Sequence, residues 1–181
     1  MKTVCVFCSS SNEVSDKIKN DGAQFGRLLA EQGYALLYGG TNSGLMKIVA
    51  DAHKSKGGYL IGVIPQYMQN SGEQYSQLDK VISVNDLGPR KQTMLENSDI
   101  LVALPGGIGT YDEFFDAYSL KTVNRNKRPM FVLNSDNFFY PLNALIEHGV
   151  KNKTISKEKA EYYKSADTPE ELIKLIKLAL E

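Results

Sequence analysis

The chain of 181 residues has no net charge, with 21 lysines and arginines against 21 aspartates and glutamates. A surface without a basic excess argues against nucleic-acid binding and offers no polybasic attachment to a membrane. No apolar run approaches the roughly 20 residues that a bilayer span needs. Lys2 leads straight into an apolar run, without the pattern of a secretory leader, so the expected compartment is the cytoplasm. Cysteine is scarce: Cys5 and Cys8 form a lone C-x-x-C, and the two histidines, His53 and His148, are far away in sequence. Cys5 falls within a predicted strand and no second cysteine pair exists, so neither a zinc site nor a redox pair is expected and no metal is assigned. No repeat, linker or low-complexity segment divides the chain, and its length suits one domain over residues 1–181.

Several common site signatures are missing too. Gly39 and Gly44 have Walker A glycine spacing, but Leu45-Met46 stand where Lys-Ser/Thr must be. The dinucleotide fingerprint fails at Asp112, where a small residue is needed. It fails again at Tyr38-Gly39, where strand 2 should end in an acid that holds a ribose hydroxyl. No Gly-x-Ser-x-Gly elbow is found. These absences argue against NAD binding and ATP-driven phosphoryl transfer, and no cofactor is expected.

What the chain does have is alternation. Short apolar runs at Thr3–Phe7, Ala35–Tyr38, Tyr59–Ile64, Lys80–Val84, Ile100–Leu104 and Pro129–Leu133 predict strands, with a brief extended piece at Tyr163–Ala166. Between them, helical periodicity predicts helices from Ser15 to Gln32, Leu45 to about Lys56, Pro89 to Asn97, Thr110 to about Asn124 and Pro141 to Val150. The last of these should turn Leu142, Leu145 and Ile146 inward. Ser156 can cap a short helix, and Thr168-Pro169-Glu170-Glu171 is a well-formed start for the final one. The pattern predicts an α/β fold, a Rossmann-like three-layer sandwich with a mainly parallel sheet. Residues 66–79 are polar and irregular, as a lid or an interface segment would be.

The most informative stretch runs from Ile100 to Ala117. A buried strand is stopped by Pro105, three glycines (Gly106, Gly107, Gly109) allow a sharp turn, and Thr110 opens a helix. The free N–H groups and positive dipole end of such a helix favour an anion, phosphate above all. Asp112, Glu113 and Asp116 follow at once, so chemistry is expected on a phosphorylated molecule part of which becomes positive. Thr110-Tyr111-Asp112-Glu113 also fits a capping box, a purely structural reading of the same residues. Ser9 to Ser11 after strand 1 and the glycine loop Gly39–Gly44 after strand 2 lie at the same end of the sheet, where ligands bind in such folds. Arg90 and Lys91 fall near the start of their own helix. Cations there oppose the dipole and are explained by a bound anion or by solvent.

These motifs resemble a known family. Pro105-Gly106-Gly107-Ile108-Gly109-Thr110-Tyr111-Asp112-Glu113 is similar to the PGGxGTxxE signature of the LOG ("Lonely Guy") family, the cytokinin riboside 5′-monophosphate phosphoribohydrolases. Val6-Phe7-Cys8-Ser9-Ser10-Ser11, Tyr38 to Met46, Gly62-Val63-Ile64-Pro65 and Arg90-Lys91 resemble its other motifs in order. The resemblance implies hydrolysis of the N-glycosidic bond of a nucleoside 5′-monophosphate, AMP or an N6-modified AMP, to free base and ribose 5-phosphate. It implies Arg90 and Glu113 as catalytic residues. It implies substrate contacts at Ser10, Gly40, Gly44, Met46, Lys91, Gly106, Gly107, Ile108, Gly109, Thr110, Asp112 and Asp116, and a homodimer. Arg90 could clamp the phosphate or assist the leaving group.

The chain departs from the family pattern at Ser9, Thr41, Lys47, Leu87-Gly88-Pro89, Asp116 and Leu120, none of which belongs to the expected catalytic pair. Some relatives carry an old lysine decarboxylase label, for which no pyridoxal-phosphate setting is found. A non-catalytic carrier of a nucleotide or phosphorylated cofactor, such as the molybdenum-cofactor carriers that share glycine loops of this kind, is the alternative. A third is a dimeric scaffold with a lapsed site. A carrier needs the phosphate loop but not the acid. Some of the residues Phe114, Phe115 and Tyr118 are expected to exceed what one core can bury, and hence to support a dimer; the alternative is that all three are core.

Overall fold

The computed structural model describes residues 1–69 and 72–181. Seven strands form one sheet in the order β4-β3-β2-β1-β5-β6-β7. They are β1 (Thr3–Phe7), β2 (Ala35–Tyr38), β3 (Leu60–Pro65), β4 (Lys80–Val84), β5 (Ile100–Ala103), β6 (Met130–Leu133) and β7 (Lys164–Ala166). Every pairing is parallel, so the brief piece near the C-terminus is a seventh strand of the same sheet. The helices are α1 (Asp16–Glu31), α2 (Gly44–Lys54), α3 (Gln66–Gln69), α4 (Leu87–Glu96), α5 (Ile108–Thr122), α6 (Tyr140–Lys151), α7 (Lys157–Ala160) and α8 (Pro169–Leu180).

Successive strand side chains point to opposite faces, and this alternation builds two cores. Val4 and Val6 of β1 join Phe25 and Leu29 of α1, Leu45 and Val49 of α2, and Leu172 and Ile176 of α8. Cys5 and Phe7 join Met94 of α4, Phe114 of α5 and Leu142 of α6 on the other face. The two cysteines are free and buried in different cores. Fully burying a residue such as Phe25 or Leu29 stabilises the fold by roughly 1.5–3 kcal/mol.

The chain runs outward from β1 to β4, then returns to place β5 on the other side of β1. The C-terminal ends of β1 and β5 therefore diverge into a crevice, the switch point at which open parallel sheets bind ligands. The loops there are joined: Leu104 N–H donates to Phe7 O at 2.9 Å and Ser9 N–H donates to Pro105 O at 3.2 Å.

The structure corrects several local expectations. α4 begins at Leu87 with Asp86 as its N-cap, two residues before Pro89. α5 begins at Ile108 with Gly107 as N-cap and no side-chain capping bond. Thr110 is thus the third helical residue, and the capping box read at Thr110 and Glu113 does not form. Leu145 is 57% exposed, while Leu142 and Ile146 are buried. Phe114 and Tyr118 are core residues, so they are not a surplus awaiting a partner, while Phe115 packs only partly against the same core.

The 66–79 segment is more ordered than its composition suggests; residues 70 and 71 lie outside the described residues. It opens with α3, and its later part is strapped to the β2 loop. Asn42 N–H donates to Glu73 O at 2.7 Å and Tyr75 N–H to Gly40 O at 2.8 Å. The buried Tyr75 donates its hydroxyl to Asp51 at 2.7 Å.

Candidate active site

Three loops converge at the switch point. The β1 loop supplies Cys8 to Ser11. The β2 loop is folded onto it: Met46 N–H donates to Ser9 O at 3.1 Å and Gly44 N–H to Asn12 Oδ1 at 3.0 Å. Gly44 has φ +58°, and a Cβ there would lie 2.2 Å from the Ser10 carbonyl carbon, so this close approach requires glycine. The β5 loop is closed from below: a Cβ on Gly106 would meet Thr110 Oγ1 at 2.0 Å and Ser9 N at 3.0 Å.

Together the loops line a cleft of about 300 Å³ with Cys8, Ser9, Ser10, Ser11, Met46, Arg90, Gly107, Ile108, Gly109, Thr110 and Glu113. The first N–H groups of α5 lack a side-chain cap. They are therefore left for an anion, which the helix dipole also favours. A second cleft of about 480 Å³ adjoins it, lined by Ser10, Thr41, Asn42, Ser43, Met46, Met68, Gly72, Glu73, Leu87 and Arg90. Ser10, Met46 and Arg90 are common to both, so these three form the partition.

Arg90 and Glu113 face each other at that partition. Arg90 Nη1 lies 3.5 Å from Glu113 Oε1, and Arg90 Nε–H donates to the Val63 carbonyl at 2.9 Å. The guanidinium rests on Gly39, where a Cβ would come within 2.3 Å of Nη2. Glu113 is 8% exposed. Burial pushes its carboxyl up to about 7, Arg90 pulls against that rise, Asp112 adds to it and Lys91 opposes it. A carboxyl that titrates near neutrality in a cleft is suited to proton transfer and to stabilising developing positive charge. Burial, with a further rise from Glu113, keeps the Cys8 thiol protonated.

Of the residues expected from sequence, Ser10, Met46, Arg90, Gly107, Ile108, Gly109, Thr110 and Glu113 line the first cleft. Gly40, Gly44 and Gly106 shape its loops from behind, Gly40 with φ +74° against Ile64. Lys91, Asp112 and Asp116 line neither cleft. They form their own cluster, with Lys91 Nζ 2.9 Å from Asp112 Oδ1 and 3.5 Å from Asp116 Oδ1. The positive charge of Lys91 is therefore accounted for by two carboxylates, not by a vacant anion seat. Sequence reasoning placed Gly39 in a glycine loop and Val63 in a strand motif without their role in seating Arg90, and it missed Met68 in the second cleft. Nothing local marks Met68. Among the described residues, no group of three or more His, Cys, Asp or Glu side chains is placed to hold a metal ion, and no helix is long and apolar enough to cross a membrane.

Fold and site together define a parallel α/β protein with an anion-ready helix terminus and a buried carboxylate at its switch point. A family described as "Possible lysine decarboxylase" matches residues 46–176. A cytokinin riboside 5′-monophosphate phosphoribohydrolase of Arabidopsis thaliana is 31% identical over 173 residues, covering 96% of this chain and 80% of that protein. One of Rhodococcoides fascians is 34% identical over 148 residues, covering 81% and 75%. The chain belongs to the LOG family.

In fold it is similar to the molybdenum cofactor binding protein of Rippkaea orientalis, with TM-score 0.76 and 23% identity over 100% of this chain and 99% of that one. It is also similar to the molybdenum cofactor carrier protein of Chlamydomonas reinhardtii, with TM-score 0.74 and 22% identity over 99% and 98%. The two clefts at the switch point give the decarboxylase description no support. Pyridoxal-phosphate catalysis needs a lysine to form the Schiff base, and no lysine is among the residues that line either cleft.

Proposed function

We propose that the protein hydrolyses the N-glycosidic bond of a nucleoside 5′-monophosphate, AMP or an N6-modified AMP, to free base and ribose 5-phosphate. The observation that carries this reading is the buried Glu113 carboxyl facing Arg90 beside the uncapped start of α5. The relatives named above are phosphoribohydrolases, which supports the same chemistry.

In this reading the 5′-phosphate sits on the N–H groups at the start of α5 and holds the sugar against Glu113. Its binding energy fixes the reacting geometry. The base extends past Arg90 into the second cleft, between the apolar surfaces of Met46, Met68 and Leu87. The C1′–N bond breaks with its electron pair leaving on the base, and the ribose ring becomes cationic. The Glu113 carboxylate stabilises that cation and accepts a proton from water as the water oxygen bonds to C1′. The departing base takes up a proton. Arg90 uses one N–H on Val63 and another on Glu113, and its remaining N–H groups stand at the junction between phosphate and base.

The working unit is proposed to be a homodimer. Its supporting surface is not Phe114 or Tyr118 but an apolar hollow lined by Tyr111, Phe115, Phe138, Phe139, Pro141, Leu142 and Leu145. Tyr140 (71%) and Ile108 (82%) are exposed nearby in sequence.

The test is incubation with a panel of nucleoside monophosphates and the matching nucleosides, scoring release of free base. Base should be released from at least one adenine monophosphate and far more slowly from its nucleoside. Equal rates on adenosine and AMP would remove the phosphate anchor. Tight nucleotide binding with no base released from any of them would leave the carrier reading in its place.

A further inference from the structure

α4 carries Arg90 but is weakly anchored where it carries it. Its buried residues are Met94 and Leu95, both in the C-terminal half. In the N-terminal half Leu87, Gly88 and Pro89 are exposed, and Arg90 and Lys91 are half-buried. Apolar packing therefore does not set how closely this half lies to α5. Polar bonds do. One is the Arg90–Glu113 pair, whose Arg90 is also tied to β3 by Nε–H to Val63 O. The other is Lys91, which donates to Asp112 Oδ1 at 2.9 Å and lies 3.5 Å from Asp116 Oδ1. Arg90 and Lys91 are neighbours on α4, and Asp112 and Glu113 are neighbours on α5. The two ion pairs are thus adjacent rungs between the same two helices. The Lys91 side chain is 22% exposed, against 58% for Asp112 and 37% for Asp116, so solvent screens the carboxylate ends of these pairs.

We propose that Lys91 is a positioning residue, whose bonds to Asp112 and Asp116 hold the face of α4 bearing Arg90 against the face of α5 bearing Glu113. This rests on the hydrolase reading only for the role of Glu113; the geometry of the rungs does not. The rung also bears on the charge of Glu113. The charged groups that act on that carboxyl are Arg90 and Lys91 from α4 and Asp112 from α5, and its own charge adds to the rise of the buried thiols of Cys5 in β1 and Cys8 in the loop after it. Lys91 favours the ionised carboxylate and Asp112 disfavours it. Removing one end of the Lys91–Asp112 pair therefore exposes Glu113 to the other end.

The two ends make opposite predictions. Lys91→Met keeps the alkyl stem and deletes the charge, so Glu113 should titrate higher. Asp112→Asn should make it titrate lower, with Lys91 still paired to Asp116. The sign of each displacement is what the experiment reads. The measurement is the 13C carboxyl signal of Glu113 in the whole protein without substrate, assigned by its loss in Glu113→Gln. Because it needs no turnover, it stands or falls separately from the hydrolase reading.

In the active enzyme, Lys91→Met should lower kcat at neutral pH about tenfold or more while KM changes less than about threefold. Lys91→Arg, which keeps charge and reach, should restore most of kcat. Should Lys91→Met fail to fold, Lys91→Gln, which also deletes the charge, and Asp112→Asn give the same two readouts. A titration displaced by neither end would overturn the proposal. So would a tenfold rise in KM in Lys91→Met with the Glu113 titration unmoved, which would make Lys91 a substrate ligand.

Discussion

Arg90 Nη1 and Glu113 Oε1 stand 3.5 Å apart at the wall shared by two clefts. That separation is long for a charge-assisted hydrogen bond, which closes to about 2.7–2.9 Å. The pair is near enough for Arg90 to pull the carboxyl below where burial alone would put it, and too close for a ligand atom to enter between the two facing atoms, so a substrate meets both groups from the cleft side.

Glu113→Gln keeps shape and much of the hydrogen bonding but removes the negative charge. Turnover should fall on the order of a hundredfold or more, with much weaker effects on nucleotide affinity. The capping role that could have explained this residue is excluded, since α5 begins at Ile108. Steady-state kinetics beside a binding isotherm checks this, and near-normal turnover would reject the mechanism. Asp112→Asn is not a silent control, because Asp112 is bonded to Lys91.

The rate should follow the ionisation of Glu113. With its carboxyl pushed up from the usual value near 4.5 to about 7, kcat/KM should rise with pH through an acidic limb near 7. A bound phosphate dianion disfavours a second anion beside it, so the limb of kcat should lie higher than that of kcat/KM. A pH–rate profile flat from 5 to 8 would contradict the assignment.

Stability should run the other way. The folded state binds the Glu113 proton more tightly than the unfolded chain does. Its contribution to stability is fully present below about pH 4.5 and is lost as pH rises through about 7. Over that window the wild type should lose up to about 3 kcal/mol relative to Glu113→Gln. Denaturant unfolding of both proteins at pH 5 and pH 8 measures the difference. A gap that does not change with pH would show that Glu113 ionises normally.

Gly39→Ala should separate activity from stability. The new methyl group would stand 2.3 Å from Arg90 Nη2 and 3.2 Å from Met46 sulfur, both ends of flexible side chains. These can move, so the stability change should stay near 1 kcal/mol. The guanidinium must leave its seat, however, and turnover should fall by roughly tenfold or more. Thermal melting alongside kinetics tests both halves, and an active Gly39→Ala would show that the Arg90 position is not critical.

Leu145 lies 57% exposed at the rim of the apolar hollow formed with Tyr111, Phe115 and Phe138. If that hollow joins two copies, light scattering should give a dimer at micromolar concentration, and Leu145→Glu should give a folded monomer. A wild-type monomer under those conditions would overturn the dimer.

Much of this was legible in the sequence because its causes are local. The Ile100–Ala117 stretch announces itself through an apolar run, a proline and closely spaced glycines, each acting on its own backbone. The α8 start was legible for the same reason, and the Thr168 side chain accepts from Glu171 N–H as its spacing predicts. The strand alternation also decided the α/β class, because adjacent residues set which faces of a strand are apolar. Other features depended on the packing of distant segments. Glu113 meets Arg90 from 23 residues away and Asp112 meets Lys91 from 21 away. Neither spacing carries a rule, because each is set by how α4 and α5 lie across the sheet. Periodicity could place Leu145 on the apolar side of α6 but not say where that side runs out of core. The residues and their local shapes are thus determined along the chain. Which charges face each other, and how deeply Glu113 is desolvated, was decided only when β5 returned beside β1 and brought the loops together.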